Sequence, residues 1–408
     1  MAELYEFPGK EKGERLSGGE APAKKRKRGR MDVPFCLLTL LILLVGLVML
    51  LSASYVRAYY ESYGSSGVPD AAAYFKRQLI YSIIGIAGML FISRVRLSFV
   101  RKVSFFGLAI SIVLLMLVLL RGLSGNGAER WLGIPGVITF QPSEVVKFAV
   151  VVAFSAWICE YGEEMKTFKK GVVPFAVALG VITVLLLLQP HLSATIIILL
   201  LGLMMMFAGG TRLRYIATFV LLAALGFAVL LHLINSQSQI LQKVSFFKYA
   251  VDRVTAWKDP GSVLREGGWQ IIQSLYAIGS GGLLGLGLGQ SRQKYMYLPY
   301  EHNDYIFSIV CEELGFVGGV LILLLFALLI IRGFWLAMHC RDKYSSLVVT
   351  GMMILLSLQV FLNVAVVTNL VPATGISLPF FSYGGTALDI QLAEMGIVLS
   401  ASRDIPDK

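Results

Sequence analysis

The chain has 408 residues, a net charge of +11 and a mean hydropathy of +0.73. Hydrophobic residues make up 56% of it and charged residues only 15%. Soluble domains carry roughly 25% charged residues, so a soluble globular chain is excluded. Long apolar runs divide the sequence into spans of a single membrane body, and topology is the first explanation to test for the surplus of positive charge. The expected fold class is all-α and polytopic, with about ten transmembrane helices and a large extracytoplasmic loop that contains interfacial helices. The four cysteines (Cys36, Cys159, Cys311 and Cys340) lie in or beside apolar runs without metal-ligand spacing, so neither disulfides nor structural zinc is expected.

Residues 1–32 are polar and end in Lys24-Lys25-Arg26-Lys27-Arg28-Gly29-Arg30. They read as a disordered basic cytoplasmic tail. The basic run directly precedes an apolar span, which favours an orientation signal and contact with anionic lipid over nucleic acid. The first span is too long, and Ser52-Ala53-Ser54 too weak a cleavage site, for a signal peptide.

Apolar runs follow near 33–54, 75–93, 103–120, 142–159, 172–189, 192–208, 213–233, 305–331, 346–369 and 378–401. Most approach the roughly 20 residues that cross a bilayer, though 142–159 is marginal and 192–208 short. With the tail inside, the inner segments hold Arg94, Arg96, Arg101 and Lys102, then Lys166, Lys169 and Lys170, then Arg212 and Arg214. Arg332, Arg341, Lys343, Arg403 and Lys408 continue the series, while the short outer segments hold only Arg57, Lys76, Arg77, Arg121 and Arg130. That asymmetry places both termini in the cytoplasm. The expected organisation is the tail 1–32, a membrane domain over 33–401 and a short cytoplasmic tail over 402–408. Residues 234–304 form the large outer loop, far longer than ordinary connections. Within it Trp269, Ile272, Leu275 and Tyr276 recur at helical spacing, which predicts an amphipathic helix at the membrane surface.

Four places invite chemistry. Tyr300-Glu301-His302-Asn303-Asp304 precedes the eighth span. Partial desolvation of a carboxylate there would make it a better proton acceptor, but Glu301 and Asp304 also suit a plain helix start, where acids complement the macrodipole. Arg130-Trp131 lies in a Gly-rich outer loop, and Phe140-Gln141-Pro142-Ser143-Glu144-Val145-Val146-Lys147 opens the fourth span. Glu144 and Lys147 share a helix face there, as a structural ion pair or a functional one. Gly279-Ser280-Gly281-Gly282 with Gly285, Gly287 and Gly289 reads either as an anion-binding nest or as tight re-entrant turns. Arg253, Lys258, Arg292 and Lys294 in the same loop would balance an anionic headgroup or be solvated. Thr374 to Gly385, with Pro379, Ser382, Tyr383 and paired glycines, predicts a broken helix lining a cavity. The residues alone stop at a polar outer-face cavity with one carboxylate of interest.

Together, Arg130-Trp131…Gln141-Pro142-Ser143-Glu144…Lys147, Asp304-Tyr305-Ile306-Phe307…Glu312-Glu313-Leu314-Gly315 and Gly375-Ile376-Ser377-Leu378-Pro379…Ser382-Tyr383-Gly384-Gly385 resemble the SEDS family of shape, elongation, division and sporulation proteins (RodA, FtsW and SpoVE). The resemblance runs from about residue 33 to 401 and leans towards the FtsW/SpoVE branch. It implies a peptidoglycan glycosyltransferase that polymerises lipid II at the outer face of the bacterial cytoplasmic membrane, with a class B penicillin-binding protein as partner. It carries the catalytic role onto Asp304 and supporting roles onto Arg130, Trp131, Glu144 and Lys147. Substrate contacts are expected from Arg253, Arg292, Lys294, Ser382 and Tyr383. The resemblance fixes no cofactor, and a divalent cation, Mg or Mn, is left open. Gln189-Pro190-His191-Leu192-Ser193 departs from the family's frequent Asp followed by Gly, Asn303 replaces a common Thr, and Thr386-Ala387 a frequent Ser pair. The rival readings are a lipid II flippase and a scaffold for the transpeptidase. Gly315, Gly318 and Gly319 are the expected docking patch for the partner's single span.

Overall fold

A computed structural model of the chain describes residues 29–125, 128–134, 138–235, 245–263 and 267–405. Nearly all of the basic tail lies outside the described residues. Although the last run is irregular over 378–384 and turns helical only at Gly385, every apolar run contains a helix. In chain order these are α1 (Val33–Ser66), α2 (Ala73–Ile92), α3 (Leu97–Arg121), α4 (Pro142–Tyr161), α5 (Val173–Leu188), α6 (Leu192–Ala208) and α7 (Leu213–Asn235). The long connection then contributes α8 (Ser245–Lys258) and α9 (Gly268–Gly281), before α10 (Ile306–His339), α11 (Lys343–Val367) and α12 (Gly385–Ser402). Among the described residues, seven helical stretches are long and apolar enough to cross a membrane. Helix α6 and the start of α7 are shorter, and α12 carries Asp389 and Glu394 within 18 residues.

Local chemistry sets the helix starts. Asp32 accepts a hydrogen bond from Phe35 N at 2.9 Å and Asp342 one from Ser345 N at 2.9 Å, satisfying amides that the first turn leaves free. Helix α11 is the centre of the bundle: 72% of its most apolar window is buried, against 28% for α3 at the periphery. Gly351 of α11 explains the close approach there. A methyl group at that position would come within 2.5 Å of Val151 on α4 and 2.7 Å of the Met205 sulfur on α6. Phe106 and Leu120 of α3 point outwards, as a hydrocarbon-facing surface requires.

Two features depart from the all-α expectation. The Gly-rich loop around Arg130 is a three-stranded antiparallel sheet, β1 (Leu123–Gly125), β2 (Ala128–Ile134) and β3 (Ile138–Phe140), with Leu132 opposite Phe140. Its strands are too short for a two-residue period to be read. The second is a break inside α10 at Gly315, whose φ of 68° leaves the helical region. Residues 282–287 lie against that break. Leu286 N and Gly287 N donate to the carbonyls of Glu312 and Glu313 at 3.0 Å each, while Phe316 N and Val317 N donate to Gly282 and Leu283 at 2.9 and 3.1 Å. A methyl group on Gly285 or Gly315 would strike main-chain atoms of the opposite segment at 2.2 or 2.3 Å. Two amides of the glycine-rich segment are committed to α10, which favours the tight-turn reading of that segment over the anion nest. Gly315 is buried against the same segment rather than open to a partner, which corrects its place in the expected docking patch.

Helix α9 turns Ile271, Ser274 and Ala277 inwards, and Ser274 Oγ bonds the Val367 carbonyl at 2.7 Å. Trp269, Leu275 and Tyr276 are exposed and Ile272 is half-buried. The apolar face read from the sequence therefore points away from the protein, as suits a helix resting on a membrane surface.

Candidate active site

A cavity of about 140 Å³ opens where β2, α4, α6, α11 and the segment before α12 converge on the turn that precedes α10. Asp304, Arg130, Trp131, Glu144, Lys147 and Tyr383 all line it. Six of the ten residues singled out in the sequence thus meet in one place, although 174 positions separate Arg130 from Asp304.

Asp304 ends the turn leading into α10. Asn363 Nδ2, buried on α11, donates to the Asp304 carbonyl at 2.9 Å, and Ser382 Oγ donates to the Asn303 carbonyl at 2.8 Å. The carboxylate faces Gly375, which holds a φ of 76° and where a methyl group would come within 3.1 Å of Asp304 Oδ2. A side chain there would be strained and would crowd the carboxylate. Burial raises the Asp304 proton affinity above the ordinary carboxylate range, against the opposing pull of Arg253, Arg130 and His302.

Glu144 sits in the first turn of α4, and its Oε2 lies 2.6 Å from Lys147 Nζ, with both side chains largely buried. Pairing is what makes two charges tolerable at the head of an apolar helix. Arg130 Nη2 donates to the Pro190 carbonyl, which leans the guanidinium over the turn before α6. His191, on that turn, lies with Nε2 3.1 Å from Gln141 Nε2. Burial, reinforced by Arg130 and Lys147, lowers its basicity and keeps the ring neutral.

The remaining expectations do not converge. Lys294 is buried elsewhere, with Nζ 3.0 Å from Glu313 Oε1 and 2.6 Å from the Gly289 carbonyl. Arg292 is exposed, and its amide donates to Glu312 Oε1 at 2.9 Å. Neither lines the cavity; both belong to the brace around the α10 break. Ser382 is structural, since its hydroxyl also accepts from Leu378 N at 2.7 Å. Arg253 of α8 is half-buried and acts on Asp304 through its charge, without lining the cavity. Glu301 is not a solvated helix-start acid. It is fully buried, with Arg57 Nε 2.7 Å from Oε1 and Nη2 2.9 Å from Oε2. Burial pushes its carboxyl up, but His302 and Arg57 outweigh that and hold it below its ordinary value.

Sequence reasoning passed over Gln359 and Asn363, four apart on α11 and therefore on one face, with Gln359 lining the cavity. Their signal was available: two amides within an apolar span. Among the described residues no group of three His, Cys, Asp or Glu side chains is placed to hold a metal by itself, and Glu144 is already paired with Lys147.

Fold and site define a multi-pass membrane protein whose buried carboxylate faces a cation-lined cavity. The chain belongs to the FtsW/RodA/SpoVE family, described as cell cycle protein, whose family model matches residues 33–405. It is similar to stage V sporulation protein E of Bacillus subtilis, at 39% identity over 92% of this chain and 98% of that protein. It is also similar to a probable peptidoglycan glycosyltransferase FtsW of Trichlorobacter lovleyi, at 36% identity over 91% and 93%. Among solved structures, a chain from work on the structural coordination of polymerization and crosslinking by a peptidoglycan synthase complex superposes with a TM-score of 0.72. The identity is 28%, covering 92% of this chain and 98% of that one. The Thermus thermophilus rod shape determining protein RodA gives 0.64 at 26% identity, over 93% and 98%.

Proposed function

We propose that the protein is a peptidoglycan glycosyltransferase that polymerises lipid II, with Asp304 as its general base. One observation carries this reading: a carboxylate of raised proton affinity opens into a cavity that also presents Arg130 and Lys147. A base poised nearer neutrality than a solvated aspartate removes a hydroxyl proton more effectively. Asp304 takes the proton of the acceptor sugar hydroxyl as that oxygen bonds to the anomeric carbon of the donor. The carbon–oxygen bond to the polyprenyl pyrophosphate breaks in the same displacement, so configuration inverts. Arg130 and Lys147 stabilise the charge that gathers on the leaving phosphate. Trp131 and Tyr383 supply flat walls against which a sugar ring packs. The membrane body keeps the lipid tail in the bilayer while the sugars reach the cavity from the outer face. A class B penicillin-binding protein then crosslinks the strands.

The test is purified protein in vesicles with lipid II. Wild type should make glycan chains, and Asp304→Asn, which keeps shape but cannot accept a proton, should lose about 10²–10⁴ in rate. Near-normal polymerisation by Asp304→Asn would remove it as the base. Lipid II translocation without polymerisation by the wild type would favour a flippase.

A further inference from the structure

Asn363 is an unexpected residue at its position. It lies fully buried near the end of α11, among Leu362, Val366 and Val367, where an apolar side chain would fill the space without polar atoms to satisfy. Both hydrogens of its single amide nitrogen are used. One goes to the Asp304 carbonyl at 2.9 Å and the other to the Ile376 carbonyl at 2.7 Å. Its Oδ1 is buried with no partner among the described residues. An amide retained with one end unsatisfied is there for the end that is satisfied, because a buried orphan acceptor disfavours the fold.

The two carbonyls that it joins belong to the two walls of the reacting site. Asp304 supplies the carboxylate, and Ile376 follows Gly375, against which that carboxylate rests. The second wall is held from another side, where Ser193 Oγ of α6 donates to the Thr374 carbonyl at 2.7 Å. Thr374-Gly375-Ile376 is therefore pinned at both ends, by α6 and by α11, and only the α11 pin also grips Asp304.

We infer that Asn363 is the positioning residue of this site, fixing the separation of Asp304 from the Gly375 segment by holding both main chains on one nitrogen. It touches no substrate in this arrangement; it acts through Asp304. This rests on the proposed polymerase reading. Losing the clamp lets the carboxylate drift from its attack geometry while the Arg130 and Lys147 side of the cavity stays in place. Misplacement by about 1 Å is enough to cost about 10²-fold in rate. The loss should fall on kcat and leave KM for lipid II within about 3-fold.

The experiment compares wild type, Asn363→Leu, Asn363→Gln, Gly375→Ala and Asp304→Asn in vesicles with lipid II, each first checked for a single monodisperse elution peak. Asn363→Leu keeps the branched heavy-atom layout and removes both donors, so kcat should fall about 100-fold. Asn363→Gln keeps the nitrogen on a longer arm and should recover part of that loss. Gly375→Ala crowds the same gap from its other wall and should reproduce the kcat-selective defect if Asn363→Leu does not fold. Activity of Asn363→Leu or Gly375→Ala within about 3-fold of wild type, with Asp304→Asn inactive, would overturn the inference and leave the polymerase reading standing. So would a defect confined to KM. An inactive wild type, or an active Asp304→Asn, would instead overturn the polymerase reading.

Discussion

Arg57 and Glu301 offer the sharpest stability test. Glu301 has no exposed side-chain surface, whereas Arg57 keeps 19% of its own and lies 3.5 Å from a second acid, Glu61. Removing Arg57 therefore strands a carboxylate out of water, with only His302 Nδ1 at 3.5 Å left nearby. Removing Glu301 leaves an arginine that still has Glu61 and some solvent. Breaking a buried pair by deleting one partner costs about 3–5 kcal/mol. Arg57→Met should fall in that range, and Glu301→Gln should cost less, about 1–3 kcal/mol, because the stranded group is the better solvated one. The double variant should recover most of the loss, since neither charge remains. Urea titration of the detergent-solubilised protein, followed by tryptophan fluorescence, reads these differences as shifts in midpoint. A cost below about 1 kcal/mol for Arg57→Met, or a double variant equal to the sum of the singles, would refute the argument. The same pair disqualifies Glu301→Gln as an inert control for Asp304, three residues away, because it loosens the anchor of the turn that carries Asp304.

Three further outcomes follow from the geometry. Glu144→Gln and Lys147→Met should each lower folded yield, and the double neutralisation should restore part of it; a double worse than the sum of the singles would show that the two charges act separately. The folded-state proton affinity of Asp304 is raised above its ordinary value of 3.8, so its contribution to stability is full below that value and is lost as pH rises through the folded one. Asp304→Asn should therefore unfold at a higher temperature than wild type at neutral pH, with the gap closing in acid, and equal gaps at pH 4 and pH 8 would contradict this. For topology, cysteine labelling from outside should modify Ser262→Cys and spare Lys169→Cys, both exposed positions; the reverse pattern would invert the siting of the chemistry.

The sequence carried the fold through composition: runs of about 20 apolar residues admit little except helices. It carried the core of the site too, because Glu144, Lys147 and Asp304 are charges at the mouths of apolar runs, where a charge needs a reason, while Arg130 was marked by the family resemblance. Some of the residues it misassigned fail for one shared cause. Lys294 and Glu301 look solvated in one dimension, and only the folded chain brings Glu313 and Arg57 to them, whereas Arg292 stays exposed and meets Glu312 only through its main-chain amide. The glycine-rich segment left two readings open for a related reason, since exposed amides and amides spent on a broken helix have the same composition. Asn363 was legible but silent. A single amide in a span declares a constraint without saying which two carbonyls it joins.

The break at Gly315 gives the Asp304 turn a mechanical character. Above it, Ile306–Leu314 is a rod of nine residues, about 13 Å long at 1.5 Å per residue. One end of this rod abuts the turn bearing Asp304. The other end is stitched to residues 282–287 by amides running in both directions across the gap. Glu313 fastens the same end to Ser52 on α1, with Ser52 Oγ 2.7 Å from its carboxylate. A force applied to the connection ahead of α10 therefore does not dissipate along a continuous 34-residue helix. It meets a short lever with the carboxylate at its far tip.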